Sequence, residues 1–209
     1  MRVAGVDGTK GGWAAIVLDD GRFTRDHVLR PVETAFEELA DADVIAVDVP
    51  IGFGPRRADA AARAYLTGAA STVFTTPARE VLELRFGPGL GVSAQAHALG
   101  PRILHVTQLA HADTRFREVH PEVSFREMNG KQPLRYRKKS AGGALERIDL
   151  LREEGIELNR VVAAAEVPLD DVLDAAAAAW TAQRVSVGQA RPLPAPPEEV
   201  AGYEVAIWY

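Results

Sequence analysis

The stretch RVAGVDGTKGGWAAIVLDDG, residues 2–21, decides the fold of this protein. It contains two predicted strands, Arg2–Asp7 and Gly12–Leu18, separated by glycines and a lysine and followed by the turn signal Asp-Asp-Gly. A third strand is predicted over Arg22–Leu29, so the chain should begin with three antiparallel strands. Asp7 ends the first strand, where a buried strand normally carries another apolar residue. We therefore take Asp7 as the first candidate site residue.

The remaining predicted elements alternate between helices and strands. Val32–Ala40 is predicted as a helix, and Asp43–Val49 (DVIAVDV) as a buried strand that is covered on both faces. Residues 191–199 (RPLPAPPEE) are read as an extended connector, because consecutive prolines do not continue a helix. The other predicted elements are helices over 57–67, 78–84, 93–116, 142–154 and 170–187 and strands over 117–119 and 203–208. This order predicts an α/β protein with a mixed sheet and helices on both faces.

Composition limits the classes of protein that come into question. The chain has 209 residues, a formal net charge of −5 and 47% hydrophobic residues, which suits one domain with a sizeable core. It has no cysteine, so disulfides and thiolate metal sites are excluded. We expect no membrane span and no signal peptide, and hence a cytoplasmic location. The negative charge argues against a surface that coats nucleic acid but is compatible with a local basic track.

Acidic residues stand at the ends of several predicted elements. Asp7 ends the first strand, Asp48 ends the next buried strand, and Glu122 follows the short strand at 117–119. Asp171 and Asp174 are three residues apart at the start of the last helix and therefore share one side of it. Open α/β sheets bind ligands where their strands end, and a hard cation relieves the repulsion between gathered carboxylates. These residues predict a site for Mg²⁺ or Mn²⁺ held by Asp7, Asp48, Asp171 and Asp174.

Each of these acids also has an ordinary structural interpretation. A single aspartate at a strand end is commonly a turn or capping residue, and Asp170 and Asp171 suit the positive end of a helix dipole. The acidic side of the last helix could face water. However, Ala175, Ala178 and Ala182 lie on that same side and are small enough for a close approach to a sheet. The combination of acids, rather than any one of them, indicates a metal site with Glu122 as a further candidate catalytic residue.

Basic residues supply candidate contacts to phosphate. The segment LRYRKKS places several of them around Tyr136, an arrangement that can track a nucleic-acid strand. The alternative is a solvated loop, and Lys10 is equally compatible with a solvated turn. Arg56 and Arg57 add charge after the Asp48 turn, and His120 lies beside Glu122 and could act in the site. The candidate substrate-binding residues are Lys10, Arg63, Arg79, Lys138 and Lys139.

Several motifs in a fixed order resemble a known family. GVDGTKGGW, AVDVPIGF, STVFTTPAR, HPEVSF, the KKS segment and DDVLDA are together similar to domain-of-unknown-function family four-two-nine, whose members are predicted nucleases of RNase H fold. The resemblance extends from Gly5 to Trp208. It implies that residues 1–209 form a single RNase H-like domain. The central sheet would be mixed and five-stranded, with its first three strands antiparallel.

DDVLDA also resembles the closing motif of RuvC-type Holliday-junction resolvases, in which acids three residues apart open the last helix. On this resemblance Asp7, Asp48, Asp171 and Asp174 match the acidic positions of the resolvases, whereas Glu122 has no clear counterpart. The implied activity is a metal-dependent nuclease acting on DNA or RNA. Two ions, with Asp7 shared between them, would activate water and stabilise the leaving oxygen of a phosphodiester.

Two other functions stay open at this point. The strand–Asp–Gly–Thr–Lys–Gly–Gly–strand opening also resembles the phosphate hairpin of actin-like ATPases and sugar kinases. Those proteins bind nucleotide between two such domains, and this chain has room for one, so that function would require a homodimer. The third alternative is a module that binds metal or nucleic acid without catalysis. Ligand-dependent stabilisation by Mn²⁺, ATP analogues or branched DNA distinguishes the three.

Overall fold

Seven strands form one mixed sheet in the computed structural model, which describes residues 1–30, 34–158, 167–200 and 202–209. The strands are β1 (Arg2–Thr9), β2 (Gly12–Asp19), β3 (Arg22–Leu29), β4 (Val44–Val47), β5 (Phe116–Val119), β6 (Pro192–Val200) and β7 (Tyr203–Trp208). The α-helices of the described residues are α1 (Arg57–Tyr65), α2 (Arg79–Leu82), α3 (Ala94–Ala98), α4 (Gly100–Ala112), α5 (Pro121–Met128), α6 (Ala141–Glu153) and α7 (Leu169–Ser186). Ala35–Leu39 and Ala70–Thr72 form 3-10 helices.

The order of the strands in the sheet is β3-β2-β1-β4-β5-β7-β6. β1, β2 and β3 pair antiparallel, β1, β4, β5 and β7 pair parallel, and β6 pairs antiparallel with β7. The fold is therefore α/β with a mixed sheet, but the expectation of five strands is wrong. The segment 191–199, predicted as a connector, is almost entirely strand β6. Pro196 and Pro197 are tolerated because β6 is an edge strand whose pairing with β7 is interrupted between Leu193 and Glu198.

Two predicted helices differ from the observed ones, and one observed helix was not predicted. The helix expected over 93–116 is divided into α3 and α4, because Pro101 lacks an N–H group and starts a new helix. Its last residue, Phe116, already belongs to β5. HPEVSF, to which no helix was assigned, forms α5 with Pro121 in its first turn. Of the helix expected over Val32–Ala40, residues 32 and 33 lie outside the described residues, and the described part is a 3-10 helix.

Helices cover both faces of the sheet, as expected. On one face α7 packs against β1, and the run Ala175–Ala179 is fully buried there. A Cβ atom on Gly5 would lie 1.9 Å from the backbone nitrogen of Ala179, so this close approach requires glycine. On the other face Ile103 and Val106 of α4 join a second apolar cluster. The contact between α7 and β1 brings Asp174, at the start of the alanine run, towards the centre of the sheet.

Within the ranges that the structure describes, no helix combines the length and the apolar character needed to cross a membrane.

Candidate metal centre

Asp7 and Asp48 lie side by side on adjacent parallel strands. Val6 of β1 is the register partner of Val47 of β4, and each aspartate is the next residue along its strand. The backbone N–H of Asp48 donates to the carbonyl of Val6 over 2.9 Å, which continues the ladder by one bond. The sequence-based expectation that these two carboxylates share one end of neighbouring central strands is confirmed.

Asp174 of α7 completes a cluster of three carboxylates. One oxygen each from Asp7, Asp48 and Asp174 lies within 4.8 Å of the other two, and the cluster could hold a metal ion. Asp7 and Asp174 are only 9% and 3% exposed. The Oδ1 atom of Asp174 is buried without a hydrogen-bond partner in the described structure. Leaving a buried carboxylate oxygen unpaired is costly, and a hard cation would pair it, so the donor set fits Mg²⁺ or Mn²⁺.

Burial and mutual repulsion change the ionisation of the cluster. Burial raises the pKa of Asp7 well above its usual range, and the charges of Asp48 and Asp174 raise it further. Burial likewise raises the pKa values of Asp48 and Asp174 to about 7. The positive charge of Lys138 lowers all three pKa values and so partly offsets these effects. Without a divalent cation, the cluster therefore resists full ionisation at neutral pH.

These pKa values predict that, in chelator, the protein becomes more stable as the pH falls from about 8 to about 5.5. In this window the folded cluster binds protons that an unfolded aspartate, with its lower pKa, does not bind, so folding is favoured by acid. We expect a gain of a few kcal/mol in the free energy of unfolding by urea. His120 acts in the opposite direction, because burial lowers its pKa.

The variant Asp174→Asn isolates the contribution of the cluster to this pH dependence. It keeps His120 but removes one of the raised carboxylates, so its gain on acidification should be clearly smaller than that of the parent. Saturating Mn²⁺ should also reduce the gain in the parent, because the ion keeps the carboxylates charged. Equal pH dependence in parent and variant would show that the cluster does not retain protons in the folded state.

Lys138 lies at the cluster rather than in solvent. Its ammonium group forms an ion pair and hydrogen bond with the carboxylate of Asp174, and its side chain is 34% exposed. The segment before it is fixed, since the backbone N–H groups of Arg135 and Tyr136 donate to Glu146 over 2.8 and 3.1 Å. The alternative of a solvated loop is thus wrong for Lys138.

Glu122 and Asp171 line the same cleft, which has a volume of about 420 Å³, but lie outside the three-carboxylate cluster. Glu122 accepts two hydrogen bonds from Arg147, over 2.6 and 2.9 Å. Asp171 is partly buried, and burial raises its pKa although the neighbouring Thr9 side chain acts to lower it. All five predicted acids therefore line one cleft, but only Asp7, Asp48 and Asp174 lie close enough together to bind one metal ion.

Two of the five predicted phosphate contacts line this cleft. They are Lys138 and Lys139, of which Lys139 is exposed. Lys10 is exposed in the turn between β1 and β2, away from the lining of the cleft. Arg63 donates to Thr75 Oγ1 over 2.9 Å, and Arg79 pairs with Glu83 in its own helical turn at 3.0 Å. The structure places these three side chains outside the cleft lining.

His120 also lines the cleft, as the residue before α5. Its Nε2 atom lies 3.3 Å from the carbonyl oxygen of Thr72, and its Nδ1 atom is buried and has no hydrogen-bond partner in the described parts of the chain. A ring that donates through Nε2 keeps a lone pair on Nδ1. The neutral His120 is thus able to accept a proton at the edge of the cleft.

A buried ion network beside the cleft escaped the sequence analysis. Arg56, which was grouped with the surface cations, donates to both carboxylate oxygens of Glu118 over 2.6 and 2.8 Å and also pairs with Asp59. Glu118 accepts a further bond of 2.7 Å from the backbone N–H of Ile51. The network ties the loop after Asp48 to strand β5. Its one signal in the sequence is a glutamate within the short strand 117–119, and that signal does not identify a partner 62 residues away.

Comparisons with known proteins bear on the identity of the chain. No curated protein and no solved structure matches it. The sequence model of one family matches residues 5–199, a range that contains the three carboxylates and Lys138. The chain belongs to this family, which is described as protein of unknown function (DUF429).

Proposed function

We propose that the protein is a metal-dependent nuclease that hydrolyses phosphodiester bonds of DNA or RNA with Mg²⁺ or Mn²⁺. The observation that carries this proposal is the convergence of Asp7, Asp48 and Asp174, from two adjacent parallel strands and a helix, to within 4.8 Å. An RNase H-like fold is part of the proposal, and the three antiparallel strands followed by the parallel β4 and β5 support it. A cytoplasmic location is also part of the proposal.

In this proposal the three clustered carboxylates hold the ion. When bound, the ion would activate a water molecule and stabilise the charge on the leaving oxygen. Asp7 is oriented by the backbone N–H of Gly8, which donates to its Oδ1 over 2.7 Å. Glu122 is engaged by Arg147 and therefore ties α5 to α6 at the edge of the cleft rather than serving as a ligand. His120 is the candidate to accept the proton that the attacking water would release.

The substrate class follows from charge and from the shape of the cleft. A polyanionic substrate would be repelled by the acids of an unloaded cleft, so its approach depends on the bound cation. The cleft, with a volume of about 420 Å³, is large enough for a phosphodiester with its flanking sugars. Lys139, exposed beside it, offers a cation to a neighbouring phosphate. The sequence-based alternatives, an ATP-binding domain or a non-catalytic module, remain outcomes of the test below.

A panel of substrates tests the proposal. Single- and double-stranded DNA and RNA and branched DNA are incubated with the protein in Mn²⁺ or in EDTA. We expect cleavage of at least one class in Mn²⁺ and none in EDTA, and a loss of about 100-fold or more in Asp174→Asn, because a ligand of the ion is removed. The control variant Asp149→Asn changes an exposed aspartate of α6 and should cleave like the parent.

The other outcomes of the panel each have a defined meaning. Cleavage that persists equally in Asp174→Asn would come from a contaminant and would contradict the proposal. Stabilisation by Mn²⁺ and nucleic acid without cleavage of any substrate would identify a binding module. Stabilisation by ATP analogues instead of nucleic acid would favour the nucleotide-binding alternative.

A further inference from the structure

A positive charge already contacts the carboxylate cluster. The ammonium of Lys138 contacts Asp174 directly, and its field lowers the pKa values of Asp7 and Asp48 as well. We propose that Lys138 stands in for a second metal ion, so that the cluster binds one divalent cation beside a resident ammonium. This inference refines the proposed function and rests on it for the location of the site. It lowers the expected number of bound metal ions per chain from the two that the resemblance to the resolvases implies to one.

Formal charge supports one ion rather than two. Three ionised carboxylates carry −3, and the ammonium of Lys138 reduces this to −2, which one divalent cation neutralises. A second divalent cation would leave the cluster strongly positive unless further acids joined it. The other acids that line the cleft lie outside this cluster: Arg147 holds Glu122, Arg56 holds Glu118 and Asp59, and Asp170 and Asp171 belong to the first turn of α7.

The distances between the carboxylate oxygens also support a single bound ion. Oxygen ligands of a small divalent cation lie about 2.0–2.1 Å from it, so two ligands of one ion are at most about 4.2 Å apart. The three carboxylate oxygens, all within 4.8 Å of one another, are thus already close to the spacing that one ion requires. Two ions about 3.5–4 Å apart would need ligands in addition to these three oxygens.

The backbone that carries Lys138 is fixed on both sides of it. Ser140 caps α6 by accepting a bond of 3.0 Å from Gly143 N–H, and its hydroxyl donates to the carbonyl of Arg137 over 2.8 Å. A Cβ atom on Gly143 would lie 2.1 Å from that same carbonyl oxygen, so the path of the segment depends on glycine at this position. Lys138 is therefore directed at Asp174 by local structure, whereas the adjacent Lys139 is exposed.

Counting bound ions tests the proposal without any need for a substrate. Mn²⁺ is titrated into the parent, Lys138→Met and the matched control Lys139→Met, with calorimetry and with direct measurement of bound manganese. We expect one ion per chain in the parent. Lys138→Met should bind Mn²⁺ at least about tenfold more tightly, because a like charge has been removed from the site, and Lys139→Met should bind like the parent.

Lys138→Arg keeps the positive charge and should bind Mn²⁺ within about threefold of the parent, which separates charge from side-chain shape. Circular dichroism checks that each variant folds, and if Lys138→Met does not fold, the count in the parent and the affinity of Lys138→Arg still decide the question. Two ions per chain in the parent would overturn the proposal, and so would a Lys138→Met affinity equal to that of Lys139→Met.

Cleavage assays separate this proposal from the proposed function. If the parent cleaves nucleic acid, Lys138→Met should cleave more slowly although it binds the ion more tightly, a pair of opposite changes that a purely structural lysine would not produce. If the parent cleaves no substrate, the nuclease proposal fails, whereas the ion count still decides whether Lys138 replaces a second metal.

Discussion

Replacing Asp7 with asparagine should abolish the stabilisation of the protein by Mn²⁺ while leaving the metal-free protein at least as stable as the parent. Asp7 is buried against Asp48 and Asp174, and its charge costs free energy until a cation binds. Asparagine has nearly the same shape and removes that charge together with one ligand. At a Mn²⁺ concentration 100 times its dissociation constant, the parent should gain about 2.7 kcal/mol and the variant little.

Urea unfolding in EDTA and in Mn²⁺ measures this difference, with Asp149→Asn as the control for an exposed aspartate. The control should gain as much stability from Mn²⁺ as the parent does. The competing view, in which Asp7 is only a turn residue that accepts the N–H of Gly8, predicts that parent and variant respond equally to Mn²⁺, because the amide oxygen of asparagine can accept the same bond. Such an equal response would remove the metal site and most of the nuclease proposal.

Replacing Arg56 with methionine should destabilise the protein by about 3–5 kcal/mol. The guanidinium is buried between Glu118 and Asp59, which are 4% and 2% exposed, and its removal leaves two buried carboxylates without a counter-charge. The loop after Asp48 would also lose an anchor, because Arg56 donates to the carbonyl of Ile51 over 3.1 Å. The measurement is again the free energy of unfolding in urea.

The neighbouring arginine provides a matched control for this experiment. Arg57 pairs with Glu198, but 68% of its side chain is exposed, and solvent screens such a pair. Arg57→Met should therefore cost about 1 kcal/mol or less. If the free energy of unfolding decreased by similar amounts in Arg56→Met and Arg57→Met, the Arg56 network would be more hydrated, and less important to the loop, than its burial indicates.

The sequence predicted the part of the site that local patterns encode. Asp7 and Asp48 end two apolar segments, and parallel pairing of such segments places their last residues together. Asp174 could be placed on the correct face of α7 because the alanines that follow it are small enough to meet the sheet. Asp171 shares that side of the helix but lies outside the cluster, and helical spacing does not reveal which of the two acids reaches the strands.

Charges whose partners are distant in sequence could not be paired from the sequence. Arg56 and Lys138 both occur beside other cations, a pattern typical of phosphate-binding surfaces. Each instead neutralises a carboxylate, Glu118 and Asp174 respectively, that is 62 or 36 residues away. Composition shows that such a cation exists, but only the packing of strands and helices decides whether it faces solvent or an acid. The same limit applies to the sheet, because the pairing of β7 with β5 links segments that are far apart in the chain.

Strand β6 lies at one end of the sheet, and its composition affects the tendency of the protein to aggregate at high concentration. An edge strand with free N–H groups is a template on which strands of other chains can assemble into aggregates. Four of the nine residues of β6 are prolines, which have no N–H to offer to another strand. This border of the sheet is therefore protected against growth into intermolecular β-structure.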